Sequence, residues 1–282
     1  MVLEQNVDKE NITVDRKRPI VAAAMSNNTD VVRLLLQKGA KVNSDKSGDL
    51  SALYFSLAYE NEEMLTLLLE HNANVNEIDA QGMSIFQNAV SRGNINIVSK
   101  LLQYDCDLSV KNTHGETPFH IISRMGNSDL LQQLLHVKGG AVLNEQNMFA
   151  ETALYLASGF NNRKTVELLI SNGSDMNICD YLNTSPLYIA SKKGHIDIVS
   201  VLLNSGATYA IFRFDLSSPL MTAAANGHVG IVKMLLNFET DVNHQDNRGK
   251  TALWHAAAYG KIDVVSSLLR MLIFLIVMRR HH

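Results

Sequence analysis

A segment of 33 residues recurs through almost the whole 282-residue chain. The stretch "TSPLYIASKKGHIDIVSVLL", from Thr184 to Leu203, is followed 33 residues later by "SSPLMTAAANGHVGIVKMLL", from Ser217 to Leu236. The same register returns eight times, with one step of 35 residues among steps of 33. This period is typical of a chain that stacks many copies of one small unit, because no unit of this size buries its apolar face alone.

Each repeat begins with the signal for a helix start. A Ser or Thr occupies the capping position in seven of the eight units, and all four prolines of the chain directly follow a capping position. A Ser or Thr side chain accepts a hydrogen bond from a first-turn amide, and proline at the first helical position loses only a donor that had no partner. First helices are therefore predicted after Arg18, Ser51, Ser84, Thr117, Thr152, Ser185, Ser218 and Thr251.

A turn and a second helix follow in every unit. The turn carries Gly or Asn except in the second unit, where Glu60 predicts a strained backbone because a positive φ suits Gly and Asn best. The second helix carries apolar pairs such as Val31 and Val32, which form one buried stripe. Loops such as "GAKVN", "NANVN" and "GSDMN" then lead onward. The predicted fold is all-α, a solenoid of stacked helix-turn-helix units with β-hairpin-like finger loops.

These units resemble ankyrin repeats. Segments such as "ETPFHIISRMGNSDLLQQLL" and "KTALWHAAAYGKIDVVSSLL" follow the period of that family and its Thr-Pro-Leu-His-x-Ala core. The resemblance covers about residues 16–270, with repeats starting near residues 16, 49, 82, 115, 150, 183, 216 and 249. Residues 1–15 form a polar lead that is expected to be partly disordered, and residues 271–282 form an apolar tail that ends in Arg and His.

Two departures from the family pattern predict irregular fingers. The seventh unit is preceded by "YAIFRFDLSS", which lacks the usual Asp and Gly at their places in the finger, and the fourth unit carries a two-residue insertion near "HVKGGAVLN". If the seventh finger collapses, it would bury its own Phe212 and Phe214.

Composition limits the classes of partner and the location. The chain has 25 Lys and Arg against 28 Asp and Glu, and a formal net charge of -3 is unlike a dedicated nucleic-acid binder. Two cysteines form no disulfide framework, and the first residues show no apolar run after a basic patch, so no signal peptide is expected. These features favour the cytoplasm, with the nucleus as the alternative.

The sequence lacks the common catalytic and metal-binding motifs. HExxH, CxxC and GxSxG do not occur, and in "NRGKT" the residues Gly249 and Thr251 stand at the finger and capping registers of the repeat. His195 and His228 share a register in adjacent units, but neighbouring helices lie about 8–10 Å apart, so we interpret both as turn and packing residues. No enzyme activity, catalytic residue, cofactor or metal ligand is therefore predicted.

The resemblance implies protein binding through the concave helix face and the fingers. Carried over by register, the candidate partner-binding residues are Met148, Phe149, Phe160, Tyr181, Leu182, Lys192, Lys193, Phe214 and Tyr259. The leading hypothesis is a non-catalytic scaffold or adaptor. The alternatives are a substrate receptor of a ubiquitin ligase, whose short C-terminal adaptor-binding box is not found, or the ankyrin portion of a larger channel, kinase or toxin.

Two further features carry expectations of their own. By family resemblance, Asn177 and Asn243 match the pattern of asparagines that are hydroxylated at the β-carbon, with Leu eight residues and Asp two residues before each. The tail holds an apolar run from Met271 to Met278, which is too short for a transmembrane span of about 20 residues. The run is expected to cap the last unit, to dock on a partner or a second copy, or to mark a truncated end.

Overall fold

The structure is a computed structural model that describes residues 18–43, 50–138, 142–238 and 240–279, so the polar lead at residues 1–15 lies outside the described residues. Within those ranges the chain forms sixteen α-helices and no strand, apart from one isolated bridge between Ile78 and Ser84. The first eight are α1 Pro19–Met25, α2 Thr29–Gln37, α3 Ala52–Ala58, α4 Glu62–Glu70, α5 Ile85–Arg92, α6 Ile95–Leu101, α7 Pro118–Met125 and α8 Ser128–Lys138. The others are α9 Ala153–Gly159, α10 Arg163–Ser171, α11 Pro186–Lys193, α12 Ile196–Asn204, α13 Pro219–Asn226, α14 Val229–Asn237, α15 Ala252–Ala258 and α16 Ile262–Arg279.

The odd-numbered helices begin directly after the predicted capping positions. Ser51, Ser185 and Ser218 each accept a hydrogen bond on Oγ from the amide three residues later, at 3.1 Å. Arg18 makes no such bond, and its guanidinium instead donates to the carbonyl oxygens of Lys41 and Asn43. The predicted helix starts are confirmed because capping is decided by residues next to one another in the chain.

The turns between paired helices also follow the prediction. Every residue at the turn position has a positive φ, including Asn27 at 52° and Asn161 at 62°. Glu60, which we expected to be strained, has a φ of 52°. A residue with a Cβ is disfavoured in this region, so the turn geometry is imposed by the packing of the two helices it joins.

The chain divides into two compact units, residues 1–118 and residues 119–282. In the second unit, α9, α11, α13 and α15 pack in sequence as one layer, and α8, α10, α12, α14 and α16 pack in sequence as the other. The leucine pairs of the outer layer lie in the core, with Leu202 fully buried and Leu203 nearly so. Each hairpin therefore buries its apolar stripe against its neighbours, as in repeat proteins generally.

The fingers between hairpins share one backbone conformation. In the third unit, Asp79 N–H donates to the Met83 carbonyl and Gly82 N–H donates to the Asp79 carbonyl, both at 2.9 Å. The finger before the seventh unit has the same pair of bonds, from Arg213 to Ser217 at 3.1 Å and from Leu216 to Arg213 at 2.8 Å.

The prediction of an irregular finger before the seventh unit is therefore wrong. Asp215 accepts a hydrogen bond from Ser217 N at 3.0 Å and pairs with Arg213 at 2.6 Å, which stabilises this finger from a different position. The insertion of the fourth unit includes residues 139–141, which lie outside the described residues.

The last helix extends into the apolar tail. The chain does not fold back after Arg270, and α16 continues to Arg279 over 18 residues. Val264 and Leu268 are buried, whereas Ile273 and Phe274 are exposed. No helix in the described part of the chain is long and apolar enough to cross a membrane.

Candidate functional site

The tips of neighbouring fingers in the second compact unit are joined by backbone hydrogen bonds. Tyr181 N–H donates to the Phe149 carbonyl at 3.2 Å, Phe214 N–H to the Leu182 carbonyl at 3.3 Å, and Asn247 N–H to the Asp215 carbonyl at 2.9 Å. These bonds place three apolar fingers side by side. We call the exposed side chains on them the fingertip row, which comprises Met148, Phe149, Tyr181, Leu182 and Phe214.

The side chains of the fingertip row face solvent. Tyr181 is 66% exposed and Phe214 is 72% exposed, and the other three are at least half exposed. A collapsed seventh finger is therefore wrong for Phe214. Phe212 is half-buried, and its ring stacks on the ring of His244 with centroids 4.1 Å apart and planes 13° apart.

A second set of predicted residues lies at the ends of the inner helices. Phe160 follows α9, and Lys193 Nζ lies 4.9 Å from the centroid of its ring while donating to the Gly159 carbonyl at 2.8 Å. An ammonium over an aromatic face is attracted by the ring quadrupole, so the positive charge has a defined position there. Lys192 is exposed beside it. Tyr259 is exposed but stands two units further on than Lys193, with Asn226 at the register between them.

Sequence reasoning missed Trp254 as a surface residue. Its register is buried in the fifth and sixth units, where it is occupied by Tyr155 and Tyr188, yet Trp254 is 45% exposed because α15 is the last inner helix. Lys250 Nζ lies 3.5 Å from the centroid of the Trp254 ring. The signal available in the sequence was the position of this tryptophan in the final repeat.

His195 and His228 hydrogen-bond to backbone in the preceding repeat. His195 Nε2 lies 3.2 Å from the Gly159 carbonyl, and His228 Nε2 lies 3.1 Å from the Lys192 carbonyl. Burial lowers the pKa of His195 in spite of the bond to Gly159, with Lys193 and His228 adding to the effect. Both rings therefore join one helix end to the next, as expected of turn residues.

The ionisable groups beneath the fingers are engaged in structural contacts. Tyr155 OH donates to Asp180 Oδ2 at 3.0 Å, and burial together with Asp180 raises the pKa of Tyr155. Burial, with Asp180 and Asp175, raises the pKa of the Cys179 thiol to about 11, which keeps it protonated and poorly nucleophilic near neutrality. Among the residues that the structure describes, no group of three or more His, Cys, Asp or Glu is placed to hold a metal ion.

The two candidate hydroxylation sites differ in their contacts. Both Asn177 and Asn243 are exposed. Asn177 Oδ1 accepts a hydrogen bond from Thr208 N at 3.0 Å, in the next loop. The side chain of Asn243 makes no corresponding bond within the described ranges, because α16 continues where a ninth loop would begin.

Stacked helical hairpins that carry a row of exposed fingertips define the chain as a helical repeat protein. The family model described as "Ankyrin repeats (3 copies)" matches residues 1–79, 72–147, 120–213 and 213–274. The chain therefore belongs to the ankyrin repeat family. The comparison with curated proteins gave no match. Ankyrin repeats are in general protein-interaction modules, and proteins of this family are typically non-enzymatic scaffolds.

Proposed function

We propose that this chain is a non-catalytic adaptor that binds a protein partner through the fingertip row and the adjoining lysines. The observation that carries the proposal is the exposure of five large apolar side chains on three neighbouring fingers. Core packing in these units is already provided by residues such as Leu187, Leu202 and Ala223, all fully buried. The fingertip side chains therefore have no share in the core, and their retention is best explained by contact with another molecule.

The chemistry of the row suits the centre of an interface. Aromatic and Met side chains are enriched in interface cores, where a few anchors carry most of the binding energy. The row offers two Phe, one Tyr, one Met and one Leu on a backbone held by hydrogen bonds between fingers. A partner would lose little affinity to ordering of this surface, because its backbone is preorganised.

The lysines beside Phe160 indicate the charge of the partner. Lys193 is held over an aromatic ring and Lys192 is exposed next to it, so two positive charges border the apolar surface. Complementary charge improves association and selects against wrong partners. We therefore propose a partner segment with apolar anchors and neighbouring acidic residues.

The alternative functions use the same surface and differ in the identity of what is bound. A substrate receptor would bring ubiquitin-ligase subunits together with a target, and the ankyrin portion of a larger protein would bind a regulatory partner. We propose the cytoplasm as the location, since both cysteines are free thiols. The partners recovered by the following experiment distinguish these alternatives.

The test is affinity capture of partners with the unmodified chain and with a Phe149→Ala, Tyr181→Ala double variant, followed by mass spectrometry. A matched control is Gln81→Ala with Thr113→Ala, which changes two polar fingertips that are also joined by a backbone bond. We expect the first variant to lose partners and the control to retain them, with both melting like the parent. Retained capture by the Phe149/Tyr181 variant, or loss of its folding, would contradict the proposal.

We also propose that Asn177 and Asn243 are β-hydroxylation sites, on the basis of the family resemblance. The contacts support a preference for Asn243, because modification of Asn177 would disturb its hydrogen bond to Thr208. Peptide mass spectrometry after coexpression with an asparaginyl hydroxylase should show one added oxygen, at higher occupancy on Asn243. An absence of oxygen at both sites would contradict the proposal.

A further inference from the structure

An asparagine side chain joins successive loops at four places in the chain. In each case Oδ1 accepts a hydrogen bond from a backbone amide 31 residues later, at 2.8–3.0 Å. The four pairs are Asn43 with Asn74, Asn76 with Asp107, Asn144 with Asp175, and Asn177 with Thr208. Where the other half of the amide is described, it is used as well: Nδ2 of Asn76 donates to the Asp105 carbonyl at 3.0 Å.

The register breaks at Ala210. The amide 31 residues later belongs to Asp241, and within the described part of the chain this N–H has no hydrogen-bond acceptor. A cavity of about 190 Å³ lies at the same junction. It is lined by Tyr209, Ala210, Phe212, Ser218, Leu220, Thr240, Asp241 and His244. The cavity is thus bordered by the small residue that replaces asparagine and by the amide that such an asparagine would bind.

The lining of the cavity combines apolar walls with a few polar groups. Leu220 is buried, and the ring of Phe212 is fixed by its stack on His244. Thr240 and Asp241 contribute a hydroxyl and a carboxylate, and Asp241 Oδ1 already accepts a hydrogen bond from Asn243 N at 2.9 Å. Drug-sized pockets are about 300–1,000 Å³, so this cavity has the size for a single side chain.

The available groups favour a neutral carboxamide over charged ligands. A carboxamide oxygen accepts from a backbone N–H, and its NH₂ group donates to a carboxylate or a hydroxyl. A carboxylate ligand would be repelled by Asp241, and an ammonium could not accept from the Asp241 N–H. The chain itself places a carboxamide on the equivalent amide four times.

We propose that the cavity beside Ala210 binds the carboxamide of an Asn or Gln side chain of the protein partner, an inference that rests on the proposed function. One partner segment can reach both this cavity and the fingertip row. Phe212 in the cavity wall and Phe214 in the row are two residues apart, a span of at most about 7 Å along the chain.

The first test uses propionamide as the probe and the full chain labelled with ¹⁵N-aspartate. We expect the amide resonance of Asp241 to shift in a saturable way, while propionate, which has the same shape and a negative charge, leaves it unchanged. Ala210→Asn supplies the carboxamide from within the chain, so propionamide should no longer shift the resonance. Equal shifts with both compounds, or an unchanged response in a folded Ala210→Asn variant, would overturn the inference. If that variant does not fold, the comparison of propionamide with propionate in the parent chain still decides.

The second test measures affinity for a partner captured through the fingertip row. Loss of one neutral hydrogen bond should weaken binding about three- to tenfold in Ala210→Asn. Unchanged affinity in this variant, with binding abolished by Phe149→Ala and Tyr181→Ala, would overturn the carboxamide subsite and leave the proposed function intact. Unchanged affinity in both variants would overturn both.

Discussion

Two kinds of finger share one backbone but differ in their side chains. The fingers with Gly82, Gly115 and Gly249 at the left-handed position have polar or small tips, and we call them the polar fingers. The three fingers of the fingertip row have Ala150, Asn183 and Leu216 at that position, and we call them the apolar fingers. All six have a positive φ there and the same pair of closing hydrogen bonds.

The comparison shows that finger shape does not depend on glycine. A residue with a Cβ in the left-handed region costs about 1–2 kcal/mol, so another interaction must hold the apolar fingers. In two of them a side chain does so: Asn147 Oδ1 accepts from Phe149 N and Glu151 N, and Asp180 Oδ1 accepts from Leu182 N and Thr184 N, at 2.8–2.9 Å. Because these bonds fix the backbone, the tip residues are free to vary with a binding partner.

The largest expected effect separates core from fingertip. Leu203→Ala should lower the free energy of unfolding by about 2–5 kcal/mol, because Leu203 is nearly fully buried. In a nearest-neighbour array this loss should split one unfolding transition into two. Tyr181→Ala should stay within about 0.5 kcal/mol of the parent. Urea unfolding followed by circular dichroism measures both, and a single unchanged transition for Leu203→Ala would refute the register of the repeats.

Exchanging the left-handed residues tests the comparison of fingers directly. Gly82→Ala should cost about 1–2 kcal/mol, since its Cβ would lie 3.2 Å from Thr113 N at a φ of +70°. Leu216→Gly should be neutral or stabilise by up to about 1 kcal/mol, because relief of strain is offset by about 0.5–1 kcal/mol from the freedom of glycine in the unfolded chain. Thermal unfolding of both variants gives the signs. A clear loss of stability in Leu216→Gly would show that Leu216 has a packing role.

A smaller effect depends on pH and on one register. His195 is a histidine where Asn61 and Asn94 stand in the first compact unit. Burial lowers its pKa below the usual 6.5, so the unfolded chain binds more protons and stability falls as the pH drops below 6.5. His195→Asn should remove that part of the pH dependence. Unfolding free energies at pH 7.5 and pH 5.5 measure it, and an equal slope in parent and variant would contradict the assignment.

The smallest effect on stability is expected at the end of α16. A chain that ends at Arg270 keeps the buried Val264 and Leu268, and it loses the exposed Ile273 and Phe274. We expect nearly the same melting temperature and less aggregation, because an exposed apolar run promotes association. Calorimetry and light scattering check both. A large drop in melting temperature would show that the last turns of α16 cap the eighth unit.

The sequence by itself determined the repeat, the helix starts and the turns. Capping at Ser51 and Ser185 and the positive φ at Asn27 and Glu60 depend on residues that are adjacent in the chain, so local patterns predict them. The period of 33 residues then implies stacking, because each hairpin must bury its stripe on a neighbour.

The tertiary structure decided which side chains are left exposed and where a cavity forms. The half-buried stack of Phe212 on His244, the exposure of Trp254 and the cavity beside Ala210 each depend on what the next repeat places opposite. The amide facing Ala210 is 31 residues away, in Asp241. Contacts between repeats are set by packing across the stack, and a pattern within one repeat does not contain them.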